Sequence, residues 1–314
     1  MRRRILAGIL LVAATACASR PRPAVMPKAP LSTPTPPAVE LIGDLKDFAE
    51  ALGGEATANF LSHSARPNAD NRCYFTGKLQ LPEFYSALRM VREDADRCAA
   101  RAVEHDVFFY PVQAVASGEE TITVALAEAP TERVLVVVPH EDFHNQPEAR
   151  QAPTEVAEAA ATLVGFLTAS AFAKERFGGD SMTFRMLERD AELFRTKSFL
   201  VNQYYERVRA LYASFRAGGL SPEETLEKKA QLFAELQQSC SSIAPDPVSF
   251  NKCPAAMNNA GLAFDRTYTS NYPLIYDLYK LLGGDTATLV TTLRRLMSNW
   301  PSSVADASEL IGAR

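Results

Sequence analysis

This sequence has few histidines, a single tryptophan and no excess of positive charge. Its 314 residues include four histidines and one tryptophan, and 33 lysines and arginines are outnumbered by 37 aspartates and glutamates. Proteins that bind nucleic acid through its phosphates need a basic surface, so we expect no nucleic-acid partner. Hydrophobic residues make up 47% of the chain, which is typical of a globular protein and excludes a disordered or collagen-like one.

The first residues have the pattern of a secretory signal. Arg2, Arg3 and Arg4 precede an apolar segment over 5–13, which is too short to span a membrane, and small residues lie just before Cys17. This arrangement resembles the bacterial lipoprotein box, in which the cysteine is lipidated; a plain cleaved signal is the alternative. We therefore expect a signal peptide over 1–16 and a lipid-anchored protein of the cell envelope, at the outer membrane or the periplasmic face.

Proline is concentrated directly after Cys17, within 18–40, which predicts a lipidated, extended tether over 17–40. In an oxidising compartment the other four cysteines can form disulfides. The pairs Cys73 with Cys98 and Cys240 with Cys253 each close a local loop and are favoured, with buried thiols as the alternative.

The rest of the chain divides into two regions of different character. Residues 41–152 are predicted to mix helices over 44–52 and 82–103 with strands over 106–115, 121–126 and 134–138. Residues 153–314 are predicted to be almost entirely helical, and the apolar stretch 156–173 to be a buried helix.

Two long helices are indicated within the helical region. Apolar residues from Phe184 to Phe215 recur at steps of three and four, which is typical of a helix with one buried face. Ser221, Pro222 and Glu224 then predict an N-cap, a first-turn proline and a capping box, so a second helix over 222–241 is expected to fold back on the first.

His140, Glu141 and His144 form an HExxH motif. Residues four apart on a helix share a face, with Cβ atoms about 5–6 Å apart, so two imidazoles can bind one metal ion. The glutamate after the first histidine reaches a water molecule instead, as in zinc peptidases, where it is the general base. His63 and His105, the remaining histidines, are expected at the surface or near the ligands.

Glu158 is the candidate third ligand. Pro147 and Pro153 flank a polar loop after the motif, and a helix capped by Thr154 is predicted to turn back across the motif helix. Glu158 lies in an alanine-rich segment of that helix, where an unpaired buried carboxylate is costly and a zinc ion would be its partner. Glu155 is the rival ligand, although it is better placed to complement the helix N-terminus.

Further blocks follow at characteristic positions. They are Glu158-Ala-Ala-Ala-Thr-Leu-Val-Gly165, Asn258-Asn259-Ala260-x-Leu262, Tyr268 and a Tyr-x-x-x-Gly-Gly-Asp segment that ends at Asp285. With the HExxH motif and the strand-like segment 106–116, they resemble a bacterial family of predicted zinc aminopeptidases over roughly residues 60–295. The predicted elements indicate a mainly α fold with a small β portion (α+β), and the motif with its third ligand indicates a zincin-like metallopeptidase with a gluzincin-type site.

In such a site His140, His144 and Glu158 bind Zn²⁺, Glu141 is catalytic, and a peptide or protein is the substrate. The sequence departs from the family at Asp142 and Phe143, which replace Leu-Ala, at Asn145 and at Ala157. Pro139 favours a first-turn position, so the motif helix either starts there, after a buried strand over 134–138, or continues from upstream. Both arrangements leave the two histidines on one face.

We therefore expect a zinc-dependent peptidase, an aminopeptidase by resemblance. Its substrate-binding residues are not indicated by the sequence. Tyr268 and Tyr110 are candidates for a second oxyanion donor, with interior packing between helices as the alternative for Tyr268. A non-catalytic envelope lipoprotein that retains the fold is the main alternative, and a metal-dependent hydrolase of a non-peptide amide is another.

Overall fold

The proline-rich segment leads into the first helix of the structure, a computed structural model that describes residues 37–243 and 247–312. Helix α1 is Pro37–Ala51, so residues 37–40, which were expected in the tether, are helical. Proline is compatible with the first turn of a helix, because the N–H that it lacks has no partner there. The expected signal peptide, Cys17 and the tether up to residue 36 lie outside the described residues.

An antiparallel sheet of three strands follows α1. The strands are β1 (Asp70–Gly77), β2 (Arg89–Arg92) and β3 (His105–Val112), in the order β2-β1-β3. β3 confirms the strand predicted over 106–115. β1 was not predicted, because residues 73–76 are all buried and the strand lacks the alternation of a half-buried one.

The helix predicted over 82–103 is wrong. This segment forms a 3₁₀ turn at Tyr85–Ala87, then β2, then the short helix α2, Ala95–Ala100. β2 pairs with β1, and Cys98 of α2 forms a disulfide with Cys73 of β1. Distant partners therefore override the local helical pattern.

Residues 121–138 are also more helical than predicted. Ile122 forms a β-bridge with His63, but Thr123 then caps the short helix α3, Val124–Ala127. The strand predicted over 134–138 is wrong, since these residues lie inside α4, Thr131–His144, which continues through Pro139. A short apolar run fits a buried strand or a buried helix equally well, so its pattern alone cannot distinguish them.

The chain after residue 153 is mainly helical, as predicted. Its helices are α5 (Thr154–Phe177), α6 (Met182–Arg216), α7 (Pro222–Cys240), α8 (Asn259–Thr269), α9 (Tyr272–Leu281), α10 (Thr286–Leu296) and α11 (Val304–Gly312). α5 starts at Thr154, but its N-cap is Pro153 and no side chain caps it, so the predicted cap is wrong. The capping box is confirmed: Ser221 Oγ accepts the N–H of Glu224, whose carboxylate accepts the N–H of Ser221.

Helices α6 and α7 fold back on each other, as predicted. Val201, Tyr205 and Tyr212 of α6 belong to one buried cluster with Phe233 and Leu236 of α7. Both expected disulfides are present, and Cys240–Cys253 ties the end of α7 to the segment that leads into α8.

Helix α5 lies in the centre of the core. It contacts α1, α4, α6, α8, α9 and α10, and every residue from Val156 to Ala169 is buried. By length and composition α5 could cross a membrane, but 89% of its most apolar window is buried inside the protein. The burial confirms a core helix, and the fold is mainly helical with one small sheet (α+β).

Candidate metal centre

Two neighbouring helices bring the predicted ligands together. His140 and His144 lie one turn apart at the end of α4, and α5 passes beside them with Glu158 in its second turn. Glu158 Oε2 lies 3.1 Å from His144 Nε2 and 3.3 Å from His140 Nε2, while the two Nε2 atoms are 3.2 Å apart. The three donor atoms form a nearly equilateral triangle.

This triangle fits a divalent metal ion. Ligands 2.0–2.1 Å from a tetrahedral zinc ion are about 3.3 Å from one another, which matches the observed spacing. Two imidazole nitrogens and a carboxylate oxygen are donors that zinc accepts, and three protein ligands leave one position open. His140, His144 and Glu158 could therefore bind a metal ion.

The carboxylate beside the imidazoles is Glu158 and not its rival Glu155. Of the histidines outside the motif, His63 is exposed and His105 packs edge-on against Phe75, with ring centroids 5.3 Å apart. Neither lines the cavity described below. A second set of possible ligand atoms, on Cys73, Glu93 and Cys98, offers no metal site, because the two cysteines form a disulfide.

Without a metal, the charged forms of Glu158 and His144 stabilise each other, whereas His140 favours its neutral form. Burial alone would raise the pKa of Glu158, but His144 and His140 hold this pKa well below its usual range. Burial would likewise lower the pKa of His144, but the Glu158 carboxylate raises it to about 9. For His140 burial dominates and lowers the pKa. A carboxylate therefore lies ready for a cation at this position.

Glu141 faces the same cavity but is not a member of the triangle. Burial raises the pKa of its carboxyl to about 8. A group that titrates close to neutral pH can both accept and return a proton, which is the property that a general base of hydrolysis needs. The location of Glu141 beside the triangle is the one that the HExxH spacing predicts.

Tyr85 is a site residue that the sequence did not indicate. Its hydroxyl donates to Glu158 Oε1 over 2.8 Å, which leaves Oε2 for the histidines. Its own backbone N–H donates to Thr267 Oγ1 of α8 over 2.9 Å, which fixes the 3₁₀ turn against that helix. Because the hydroxyl is separated from Glu158 by 73 positions, no spacing rule could have found this contact.

Tyr268 and Tyr110, the two tyrosines considered as oxyanion donors, both line the cavity. The Tyr268 ring stacks on His140 with centroids 6.3 Å apart and also contacts Phe264. Tyr110 stacks on Phe108 and also packs against Phe264. Burial raises the pKa of Tyr268 well above its usual value, so its hydroxyl stays protonated.

The triangle opens into a cavity of about 430 Å³. Aromatic residues line one part of it. Another part is lined by Val112, the last residue of β3, and by the residues that follow it up to Ser117. The cationic side chains of the wall are Arg72, Arg133 and Lys197. The cavity is large enough for several residues of a peptide.

The later sequence blocks hold the fold around this site. Asn258 is the N-cap of α8, and its side chain accepts the N–H groups of Ala260 and Gly261. Asn259 is buried and donates to the carbonyl oxygens of Lys78 and Gln80. Asp285 caps α10. These residues shape the framework of the cavity and do not lie at the triangle.

Comparison with known proteins relates the chain to a family of peptidases. A family model described as "Putative aminopeptidase" matches residues 117–304. No protein of curated function and no solved structure matches the chain. The matched residues include all of α4 and α5 and make up more than half of the chain. The chain therefore belongs to this aminopeptidase family, and its membership supports a peptidase-like function with a peptide as substrate.

Proposed function

We propose that the protein is a zinc-dependent peptidase of zincin-like architecture, an aminopeptidase, in which His140, His144 and Glu158 hold the metal. The observation that carries the proposal is the convergence of two imidazoles and one carboxylate within 3.1–3.3 Å of one another. Family membership supports peptide bonds as the target. Together they favour hydrolysis over a scaffolding role.

A zinc ion bound there would supply Lewis acidity toward a water molecule and a peptide carbonyl. Glu141, which lines the same cavity as the three candidate ligands, accepts the proton of the attacking water and returns it to the leaving amine. Tyr85 holds the Glu158 carboxylate in one orientation through its hydroxyl.

The test is to purify the protein, measure its metal content and assay it against unblocked and N-acetylated peptides. We expect one zinc per chain and cleavage that requires a free N-terminus. Glu141→Gln should retain zinc and lose at least about 10²-fold in kcat, because general base catalysis is removed. Glu155→Gln, the same change one turn away from Glu158, is the matched control and should remain active.

Several outcomes would contradict the proposal. Hydrolysis by Glu141→Gln at the parental rate would exclude Glu141 as the base. Protein that binds no zinc and cleaves no peptide would favour the non-catalytic lipoprotein instead. Cleavage of acetylated peptides alone would exclude an aminopeptidase while leaving the zinc site intact.

We also propose that lipid on Cys17 anchors the protein in the cell envelope, at the outer membrane or the periplasmic face, after removal of residues 1–16. The small residues before Cys17 and the prolines after it support this location. Mass spectrometry of the mature N-terminus should find a cysteine with lipid on its thiol, and Cys17→Ser should release the protein from membranes. A membrane-bound Cys17→Ser protein would exclude this anchor.

A further inference from the structure

Arg133 lies in the wall of the cavity, two helical turns before the HExxH motif. It precedes His140 by seven residues on α4, and both side chains line the cavity. Residues seven apart lie on one face of a helix, with a rise of about 10 Å between them. Arg133 also lines an adjoining cavity of about 600 Å³, so its half-buried side chain is open to a ligand from either side.

The guanidinium of Arg133 is held in position by uncharged groups. Its Nε donates to Gln113 Oε1 over 3.0 Å, and its Nη1 donates to the carbonyl oxygen of Ser249 over 2.9 Å. These two bonds come from different parts of the chain and fix the plane of the group. They use two of the five N–H donors of an arginine, and neither acceptor carries a charge.

The other cations of the cavity wall are neutralised. Lys197 forms a buried ion pair with Asp265 over 2.8 Å, and Arg72 pairs with Asp70 over 2.9 Å. Within residues 37–243 and 247–312, no carboxylate lies within ion-pair distance of Arg133. Among the described residues, the guanidinium of Arg133 thus has no ion-pair partner, and it lines the same cavity as the candidate ligands, where it can bind an anion.

We propose that Arg133 binds a carboxylate of the substrate, a role that rests on the proposed peptidase function and specifies its substrate class. Guanidinium and carboxylate form charge-assisted hydrogen bonds that are stronger than neutral ones. The backbone positions of Arg133 and His140 are about 10 Å apart along α4, and a peptide advances about 3.3–3.6 Å per residue, so we expect the carboxylate a few residues from the scissile bond. It belongs either to an acidic side chain or to the C-terminus of a short peptide.

Binding measurements test this role without requiring turnover. Zinc-loaded Glu141→Gln protein is titrated by calorimetry with two pairs of short alanine peptides. One pair has a free or an amidated C-terminus, and the other is amidated and carries one glutamate or one glutamine. We expect the carboxylate member of at least one pair to bind about tenfold tighter than its amide partner. The pair that discriminates identifies the source of the carboxylate.

Substitutions in the same background assign the preference to Arg133. Arg133→Gln should abolish the difference within the discriminating pair, and Arg133→Lys should restore part of it, because the charge returns without the fork of donors. Arg185→Gln, which removes an exposed arginine paired with Asp180, is the matched control and should retain the preference. Thermal melting of each variant checks that it is folded.

Two results would overturn the proposal. One is that the zinc-loaded Glu141→Gln protein binds both members of each peptide pair with equal affinity. The other is an Arg133→Gln protein that loses affinity for carboxylate and amide peptides alike, since a purely structural role would affect both. These results are separable from failure of the proposed function, which would appear as absent peptide cleavage by the unsubstituted protein even where carboxylate peptides bind.

Discussion

Asp142 lies between the two candidate histidine ligands, at a position where the family that the sequence resembles has leucine. Its carboxylate is buried and accepts from Lys46 Nζ over 2.7 Å, from Thr57 Oγ1 over 2.5 Å and from Asn59 Nδ2 over 3.1 Å. A polar network therefore replaces an apolar contact on the face of α4 that is directed away from the cavity. It ties α4 to α1 and to the segment after α1.

We predict that Lys46→Met lowers the free energy of unfolding by about 3–5 kcal/mol, because it leaves the Asp142 charge buried without its cation. Urea unfolding followed by circular dichroism measures the change. Adding Asp142→Leu to Lys46→Met should recover much of the loss, since the unpaired charge is then gone. Lys280→Met, at an exposed position of α9, is the control; an equally small loss for Lys46→Met would contradict the role of the pair.

The residues of the site differ in how far the sequence indicates them. His140, Glu141 and His144 follow from helical periodicity alone, because they lie within one turn of the chain. Glu158 follows from the cost of a buried carboxylate in an apolar helix. Tyr85 and Arg133 do not follow from either rule, since their contacts join segments that are distant along the chain.

At the scale of helices, the site depends on how closely α4 and α5 approach each other. Gly165 of α5 lies against α4: a Cβ atom added there would lie 2.7 Å from the carbonyl oxygen of Val136 and 3.3 Å from Cβ of His140. Only a residue without a side chain fits at this distance. The contact holds Glu158 and the histidines within reach of one ion.

We predict that Gly165→Ala destabilises the protein by about 1–3 kcal/mol through overpacking. It should also weaken zinc binding, because the helices that carry His140 and Glu158 must separate. Urea unfolding and zinc titration measure the two effects. Gly179→Ala, where an added Cβ meets nothing within 4 Å, should change neither; parental zinc affinity in Gly165→Ala would show that the close contact does not position the ligands.

The elements themselves were predictable where their signals are local. The apolar face of α6 and the capping box of α7 are each contained in a short stretch of sequence, and both helices are present where the sequence predicts them. β1 and β2 were missed, because their stability comes from pairing with each other and from a disulfide to α2. The run inside α4 was mistaken for a strand, because its burial depends on neighbours that the run does not specify.

For the molecule as a whole, the candidate ligands converge only when α4 and α5 are packed in the native core. A ligand that binds the folded chain alone stabilises it by mass action. We therefore predict that zinc at about 100 times its Kd adds about 2.7 kcal/mol to the free energy of unfolding relative to protein in EDTA. Unfolding in urea at controlled free zinc measures this difference.

Variants of two glutamates on α5 make the zinc prediction specific. Glu158→Gln should lose the zinc-dependent increment, because a neutral amide replaces the anionic donor, whereas Glu155→Gln should keep it. Equal stabilisation of both variants would mean that zinc binds elsewhere on the protein. If zinc does not raise the free energy of unfolding of the unsubstituted protein, the protein has no native zinc site.

The sequence by itself determined which side chains meet at the candidate site, since a turn of helix sets the spacing of His140, Glu141 and His144 and the buried carboxylate of Glu158 needs a partner. It also determined the helical character of the second half, where apolar periodicity and capping act over a few residues. Tertiary structure alone decided strands β1 and β2, the continuous helix α4, the bond from Tyr85 to Glu158 and the position of Arg133 in the cavity wall. Each of these depends on free energy gained between residues far apart in the chain, which no local pattern contains.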